Sequence, residues 1–337
     1  MAAKIPLITV LGSLNIDLVS YVSHHPLPGE TMTASSFAVS PGGKGANQAV
    51  ACAKLSRSRN TSTSAATDES ARIRMLGAVG ADSYGALLTS NMSAHGVDVT
   101  GVASSPSLKT GIAIIVVDEP TGQNRIILSP EANHSLVPSD FATLPAPRPD
   151  LLVMQLEIPL PTVLAALRAA RDAKPAPVPV LLNPAPAQPL PDDAYAGLAH
   201  LVVNETEAAV LGGVSEADLE TEAGLEAVSR KFLDLGVRNV IVTLGGRGVF
   251  YMAAAPGSDG GGVVVVAKKG LVSAEKARVV DTTAAGDTFV GQYALDVVGA
   301  GGFEFDIEAA VRRANRAAAK TVERLGAQDS IPWRDEL

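Results

Sequence analysis

The sequence predicts an α/β fold: a mostly parallel central sheet with helices on both faces, joined to a small second sheet. Short apolar segments alternate with helical patterns. From Leu151 onward the order is strand, helix, strand, helix, which marks a parallel sheet covered on both sides. Before residue 130, extra strand-like pieces near 18–22, 31–39, 111–117 and 124–128 are assigned to the second sheet. The chain has 337 residues, 47% of them hydrophobic and 18% charged, so one large domain over 1–337 with a sizeable core is expected.

Strands are expected at 5–11, 73–79, 112–117, 125–128, 151–155, 178–182, 201–203, 239–244 and 263–267. Helices are expected at 46–55, 83–95, 160–173, 205–211, 222–235, 285–298 and 307–325. The opening "MAAKIPLITVLG" lacks a basic region ahead of a full hydrophobic core, so it reads as the first strand rather than a signal peptide. The polar stretch "SRSRNTSTSAATDES", 56–70, is expected to be an inserted mobile loop. "LLVMQLEIPLPTVLAAL" is broken by Glu157, Pro159 and Pro161, so it splits into strand and helix instead of crossing a membrane. In "KPAPVPVLLNPAPAQPLPDD" the apolar centre fits a buried strand ending in a proline-fixed loop. "APGSDGGG", 255–262, reads as a flexible hairpin tip.

Several function classes are disfavoured. Net charge is −8, and no dense Lys/Arg run is interleaved with aromatics, which argues against nucleic acid as the partner. Cys52 is the single cysteine, which rules out an intrachain disulfide or a thiolate metal cluster. The five histidines show no metal-ligand spacing. The final "RDEL" resembles an ER-retrieval tail, but without a signal peptide the cytosol is the expected compartment.

The chemistry-bearing motifs sit at junctions. "SPGGKGANQAVACAKL" places Gly42, Gly43 and Gly45 ahead of a helix whose N-terminus attracts polar or anionic groups; a tight structural turn is the competing reading. It is not a Walker A loop, because G-x-x-x-x-G-K-[ST] is absent. In "LGSLNIDLV", Asn15 and Asp17 share one face of a strand, as a solvated edge or as an amide and carboxylate for sugar hydroxyls. Glu157 in "MQLEIP" ends a strand, where ligands of open α/β sheets gather. In "VVNETEAAVL", Asn204 and Glu207 can form a reciprocal helix cap or face a ligand. "VTLGGRGVF" starts a glycine-rich turn at Thr243. In "VVDTTAAGDTFVGQY", Asp287 follows Ala284, Ala285 and Gly286 where a helix begins. It is either a cap or a base beside small residues whose amides can crowd an anion.

In their joint order, "GGKGANQA", "LNPAPA", "NETEA", "TLGGRGV" and "DTTAAGDTF" resemble the ribokinase family of carbohydrate kinases along nearly the whole chain. "GGKGANQA" with "MQLE" and "LNPAPA" favours the ribose-phosphorylating branch over adenosine kinases. The resemblance implies a ribokinase-like three-layer sandwich with a small β-sheet lid, near 13–40 and 110–130, that often forms a homodimer interface. It implies ATP-dependent phosphorylation of the 5-hydroxyl of D-ribose. Asn15, Asp17, Gly43, Lys44, Asn47 and Glu157 would then contact ribose. Asn204, Thr243, Gly245, Gly246, Gly248 and Asn315 would border ATP. Glu207 would help organise Mg2+, and Asp287 would be the base beside an anion hole at Ala284, Ala285 and Gly286. A K+ site would draw oxygens, mostly backbone carbonyls, from Asp281, Thr283, Thr321, Arg324, Gly326 and Ser330. Asn315 departs from the histidine frequent in the family, and Ala81 from a common acid.

Overall fold

The central sheet is built from β1 (Leu7–Leu11), β4 (Arg72–Gly80), β5 (Val97–Ser105), β8 (Leu151–Met154), β9 (Val180–Leu182), β10 (His200–Asn204), β11 (Asn239–Thr243), β12 (Val249–Ala254) and β13 (Val266–Val272). These nine strands lie in the order β13-β12-β11-β10-β9-β8-β1-β4-β5. The computed structural model of the chain describes residues 4–59, 68–257, 264–300 and 305–337. Pairing is parallel from β5 across to β11, while β12 and β13 turn antiparallel. The central strands are buried on both faces, which is why "LITVL" and "LLVM" read as unbroken apolar runs.

Alternating side chains feed two separate cores. On one face Ile8 and Val10 pack under α1 (Lys44–Leu55), α2 (Ser83–Ala94), α6 (Ala285–Gly299) and α7 (Ile307–Thr321). On the other, Leu11 and Leu152 pack under α3 (Leu160–Arg171), α4 (Glu205–Gly212) and α5 (Glu222–Asp234). Cys52 lies in the first core, its Sγ 3.7 Å from the carbonyl of Gly291, and burial pushes its thiol up to about 12. Among the described residues, no helix is long and apolar enough to cross a membrane.

The second sheet orders as β3 (Ser36–Gly42), β2 (Asn15–Val22), β6 (Gly111–Asp118) and β7 (Asn124–Ser129). Val39, Leu18, Ile114 and Ile127 fall in one cross-strand row. Phe37 and Ile127 are 60% and 63% exposed, so this small sheet carries apolar side chains into solvent.

Every expected helix forms within a few residues of its expected bounds. The strand expectations need correction at the sheet's edges. β5 and β12 were not expected, and β13 runs to Val272 rather than ending at 267. β5 and β13 are half-exposed edge strands whose polar residues dilute the apolar signal. Most of the polar stretch 56–70 lies outside the described residues, at 60–67. Its described ends are tied together: Ser70 N donates to Ser56 O at 3.0 Å, and the Arg334 guanidinium donates to the carbonyls of Ser56 and Asp68. Of the expected hairpin tip, 258–262 likewise lies outside the described residues.

Candidate active site

β1 and β8 are neighbours, yet the chain proceeds from β1 towards β4 and β5 and from β8 towards β9, β10 and β11. Such a switch point opens a crevice at the carboxyl ends of the strands. Ser13, Gln155 and Glu157 lie just past β1 and β8, on that edge.

α1 starts here. Gly43 has φ 87°, and a Cβ on it would stand 2.7 Å from Asn15 N, so only glycine fits this entry. No side chain caps the helix. Its first N–H groups are nevertheless satisfied. Lys44 N donates to Glu157 Oε2 at 3.0 Å, Gly45 N to Ser13 Oγ at 3.3 Å and Ala46 N to Ser13 O at 2.9 Å. Ser13 Oγ in turn donates to Glu157 Oε2 at 2.5 Å. The anion drawn to this helix end is therefore the protein's own Glu157, which corrects the expectation of an open anion site at the glycines.

Asn15 and Asp17 do share one face of β2, and both are buried. Asn15 Oδ1 accepts from Asn133 Nδ2 at 2.8 Å, so its own NH2 is turned elsewhere. Asn133 is fully buried and also bonds Leu14 N at 2.8 Å and Leu14 O at 3.1 Å. Sequence reasoning missed this residue; "EANHS" follows a strand, and its sharp turn was the available signal. Burial, then the charges of Glu157 and Asp287, push the Asp17 carboxyl up to about 7, with Lys44 opposing. Burial works against the Lys44 ammonium, but Asp287, Glu157, Glu207 and Asp17 together raise it above its usual range. Four carboxylates thus act on the Lys44 ammonium, none of them in a direct ion pair with it among the described residues.

Asp287 is the third residue of α6. Its Oδ1 accepts from Gln48 Nε2 and its Oδ2 from Asn47 Nδ2, both at 3.0 Å. It caps nothing: the N-cap is Ala284, in the left-handed region at φ 61°, with no side-chain cap bond. The capping reading is overturned. Burial raises the Asp287 carboxyl, while Lys44, Gln48 and Asn47 pull it down. Ala285 N is turned to Thr282 O at 3.3 Å, whereas the N–H groups of Gly286 and Asp287 meet no acceptor among the described residues. A Cβ on Gly286 would meet no atom within 4 Å.

Asn204 and Thr243 are register partners at the ends of β10 and β11. Asn204 and Glu207 form the reciprocal cap: Glu207 N donates to Asn204 Oδ1 at 2.8 Å, and Asn204 N to Glu207 Oε2 at 2.9 Å. Thr243 Oγ1 donates to Val203 O at 3.3 Å. Cβ atoms on Gly245 and Gly246 would meet nothing within 4 Å, but one on Gly248 would stand 2.0 Å from Val272 O, so Gly248 serves chain packing. Asn315 Nδ2 donates to Ser273 O at 2.8 Å.

Asp281, Thr283 and Gly326 are brought together. Asp281 Oδ1 accepts from Thr283 N at 2.9 Å and Thr283 Oγ1 at 2.7 Å, and Oδ2 from Gly326 N at 2.9 Å. The side chains of Thr321, Arg324 and Ser330 are engaged with Thr288, Glu336 and Ala327, so any ion would have to meet their carbonyl oxygens, of which that of Thr321 already accepts from Arg324 N at 3.1 Å. An all-oxygen set suits a hard cation. Among the described residues, no cluster of three His, Cys, Asp or Glu could hold a metal, so a divalent ion would rely on phosphate oxygens and water.

The sequence profile described as pfkB family carbohydrate kinase matches residues 6–334. The chain belongs to the pfkB family of carbohydrate kinases. Within this family it is 40% identical to the ribokinase of Schizosaccharomyces pombe, over 96% of this chain and 94% of that one. It is 34% identical to the deoxyribokinase of Salmonella typhi, over 96% and 95%. Among solved pfkB-like structures, Thermotoga maritima ribokinase is 38% identical, with TM-score 0.78 over 98% of this chain and 97% of that one. Arabidopsis thaliana ribokinase complexed with ribose and ATP is 29% identical, with TM-score 0.80 over 98% and 97%.

Proposed function

We propose that this chain transfers the γ-phosphoryl group of ATP to the 5-hydroxyl of D-ribose, giving D-ribose 5-phosphate and ADP. The observation that carries it is Asp287, buried between two amide donors and adjoining two unpaired helix N–H groups. Asp287 takes the proton of the 5-hydroxyl; a carboxyl raised by burial is a better base near neutral pH than an exposed one. The N–H groups of Gly286 and Asp287, with the positive end of α6, stabilise charge on the transferring phosphoryl. Ribose is held by Asn15, Asp17, Lys44, Asn47 and Glu157 and by the backbone at Gly43. Asn133 keeps the Asn15 NH2 free to donate. ATP lies along Asn204, Thr243, Gly245, Gly246 and Asn315.

The Glu207 oxygen outside the cap would orient a water of Mg2+ brought in with the nucleotide, whose charge would offset that of the phosphates. Asp281, Thr283 and the carbonyls of Thr321, Arg324, Gly326 and Ser330 would hold K+, which would stiffen the loop that leads to Asp287. The reaction belongs to the cytosol, where ATP is available. The apolar row on the small sheet supports a homodimer through the lid.

A coupled ADP-release assay with ribose, 2-deoxyribose, fructose and adenosine tests this. A site built to bond hydroxyls rejects the analogue lacking one, so ribose should lead and 2-deoxyribose follow. The Salmonella relative makes 2-deoxyribose the second reading; a higher kcat/KM for it would establish that reading. A much higher kcat/KM for adenosine or fructose overturns both.

A further inference from the structure

The two amides that hold Asp287 are themselves held by amides. Gln48 donates from Nε2 to Asp287 Oδ1 at 3.0 Å and accepts at Oε1 from Gln155 Nε2 at 2.6 Å. Asn47 donates from Nδ2 to Asp287 Oδ2 at 3.0 Å and accepts at Oδ1 from Gln328 Nε2 at 3.1 Å. All four amides are buried. They reach Asp287 from the switch point (Gln155), from α1 (Asn47 and Gln48) and from the segment after α7 (Gln328).

An ionised carboxylate only accepts hydrogen bonds. Each amide touching it must present its nitrogen, and its oxygen then faces away. The next amide must again present nitrogen. A flipped Gln48 or Asn47 would set an oxygen against the carboxylate; Gln155 and Gln328 oppose that flip, and at Gln48 so does Asn183 Oδ1, which also accepts from Gln48 Nε2 at 3.0 Å. Gln155 Oε1 fills the space left by the missing Cβ of Gly12 and has no hydrogen-bond partner among the described residues, so Gln155 is held by packing and by its single bond to Gln48. Gln328 is pinned twice more: its Oε1 accepts from Asn91 Nδ2 at 2.6 Å, and its carbonyl from Lys54 Nζ at 3.0 Å.

We infer that Gln155 and Gln328 are positioning residues for phosphoryl transfer, fixing Gln48 and Asn47 so that both present N–H to Asp287 and keep it ready to accept a proton. The inference rests on Asp287 being the base. The other charges facing Asp287 are Lys44 on α1, which favours the ionised form, and Asp17 on β2, Glu157 beyond β8 and Glu207 on α4, which oppose it. Burial opposes it as well. The two amide hydrogen bonds add to the Lys44 side of that balance.

The test uses Gln155→Met and Gln328→Met, which keep length and remove the donor, and Gln155→Glu, which offers an acceptor and favours the flipped Gln48. The readout is kcat/KM for ribose against pH at saturating MgATP. A hydrogen bond to a charged group is worth enough to move a titration by about one pH unit. The acid limb should move up by about that much in each Met variant, and further in Gln155→Glu. Rates should recover to within a few-fold of wild type at high pH, with ATP affinity unchanged. A purely structural role would lower Tm or scale the rate equally at every pH. That result in the folded variants overturns the inference, and Gln328→Met decides alone if Gln155 variants do not fold. Asp287→Asn, run alongside, separates the two claims. If it turns over normally the base assignment fails; if it is inactive while the limb stays fixed in the Met variants, only the amide relay fails.

Discussion

Asp287 and Asp17 carry opposite expectations from the same buried cluster. Asp287→Asn removes basicity while leaving the backbone N–H groups of Gly286 and Asp287 in place. General-base catalysis contributes roughly 10²–10⁴-fold, so kcat should fall by at least about a hundredfold while ATP binding, measured by calorimetry, persists. Turnover near the wild-type rate with both ligands bound would return Asp287 to a structural part. Asp17 bears on stability. Its carboxyl moves from 3.8 to about 7 on folding. Its contribution is complete below pH 3.8 and is lost as pH rises through about 7, because the buried form must then ionise. Between those pH values the ligand-free wild type should lose Tm relative to Asp17→Asn, and parallel Tm-versus-pH curves would count against the assignment. Asn15, Asp17 and Glu157 were legible in the sequence because a period of two and a strand end are local signals. Asn133 was not, because its contact with Asn15 spans 118 residues and depends on how a short turn folds back under β2.

At the level of elements, the segment 281–287 links a carboxylate staple to the start of α6. Asp281 joins Thr283 to Gly326, so it holds the loop against the chain after α7. K+ should raise activity at saturating Mg2+, and Asp281→Ala should weaken that response. Equal wild-type rates in K+ and in a large organic cation, at matched ionic strength, would refute the cation site. α3, α5 and α7 could be placed from sequence because each presents an apolar stripe to a core, and α1 and α6 because their long runs of small and apolar residues are buried nearly all round. β5, "VDVTGVASS", was missed and β13, "VAKKGLV", was caught only at its start, because edge strands need only one good neighbour. The glycines before α1 were recognised as a special entry, but their partner was not. That Glu157 would fill the helix end follows only from β1 and β8 lying side by side.

For the whole molecule, the parallel order of strands was readable from the alternation of patterns, and it fixed where the crevice opens. The small sheet was readable only as a surplus of strand-like pieces, and β3 begins at Ser36, later than the sequence suggested. Val39, Ile114 and Ile127 are exposed along one cross-strand row, and the proposed dimer would bury them. Ile127→Lys should convert a dimer into a monomer in sedimentation velocity while the far-UV signal and the main unfolding transition remain. A wild type that sediments as a monomer at tens of micromolar would remove the lid from consideration as an interface.

Burial of Cys52 has a practical consequence for spectroscopy. Thiol reagents attack the thiolate, and a thiol pushed up to about 12 inside a sealed core offers almost none at neutral pH. The native chain is therefore silent to maleimides without any cysteine having to be removed. Gln123→Cys, in the exposed turn between β6 and β7, would give one addressable position on the lid. A fluorophore there would test whether the small sheet moves when ribose and ATP are added, in a protein otherwise unaltered.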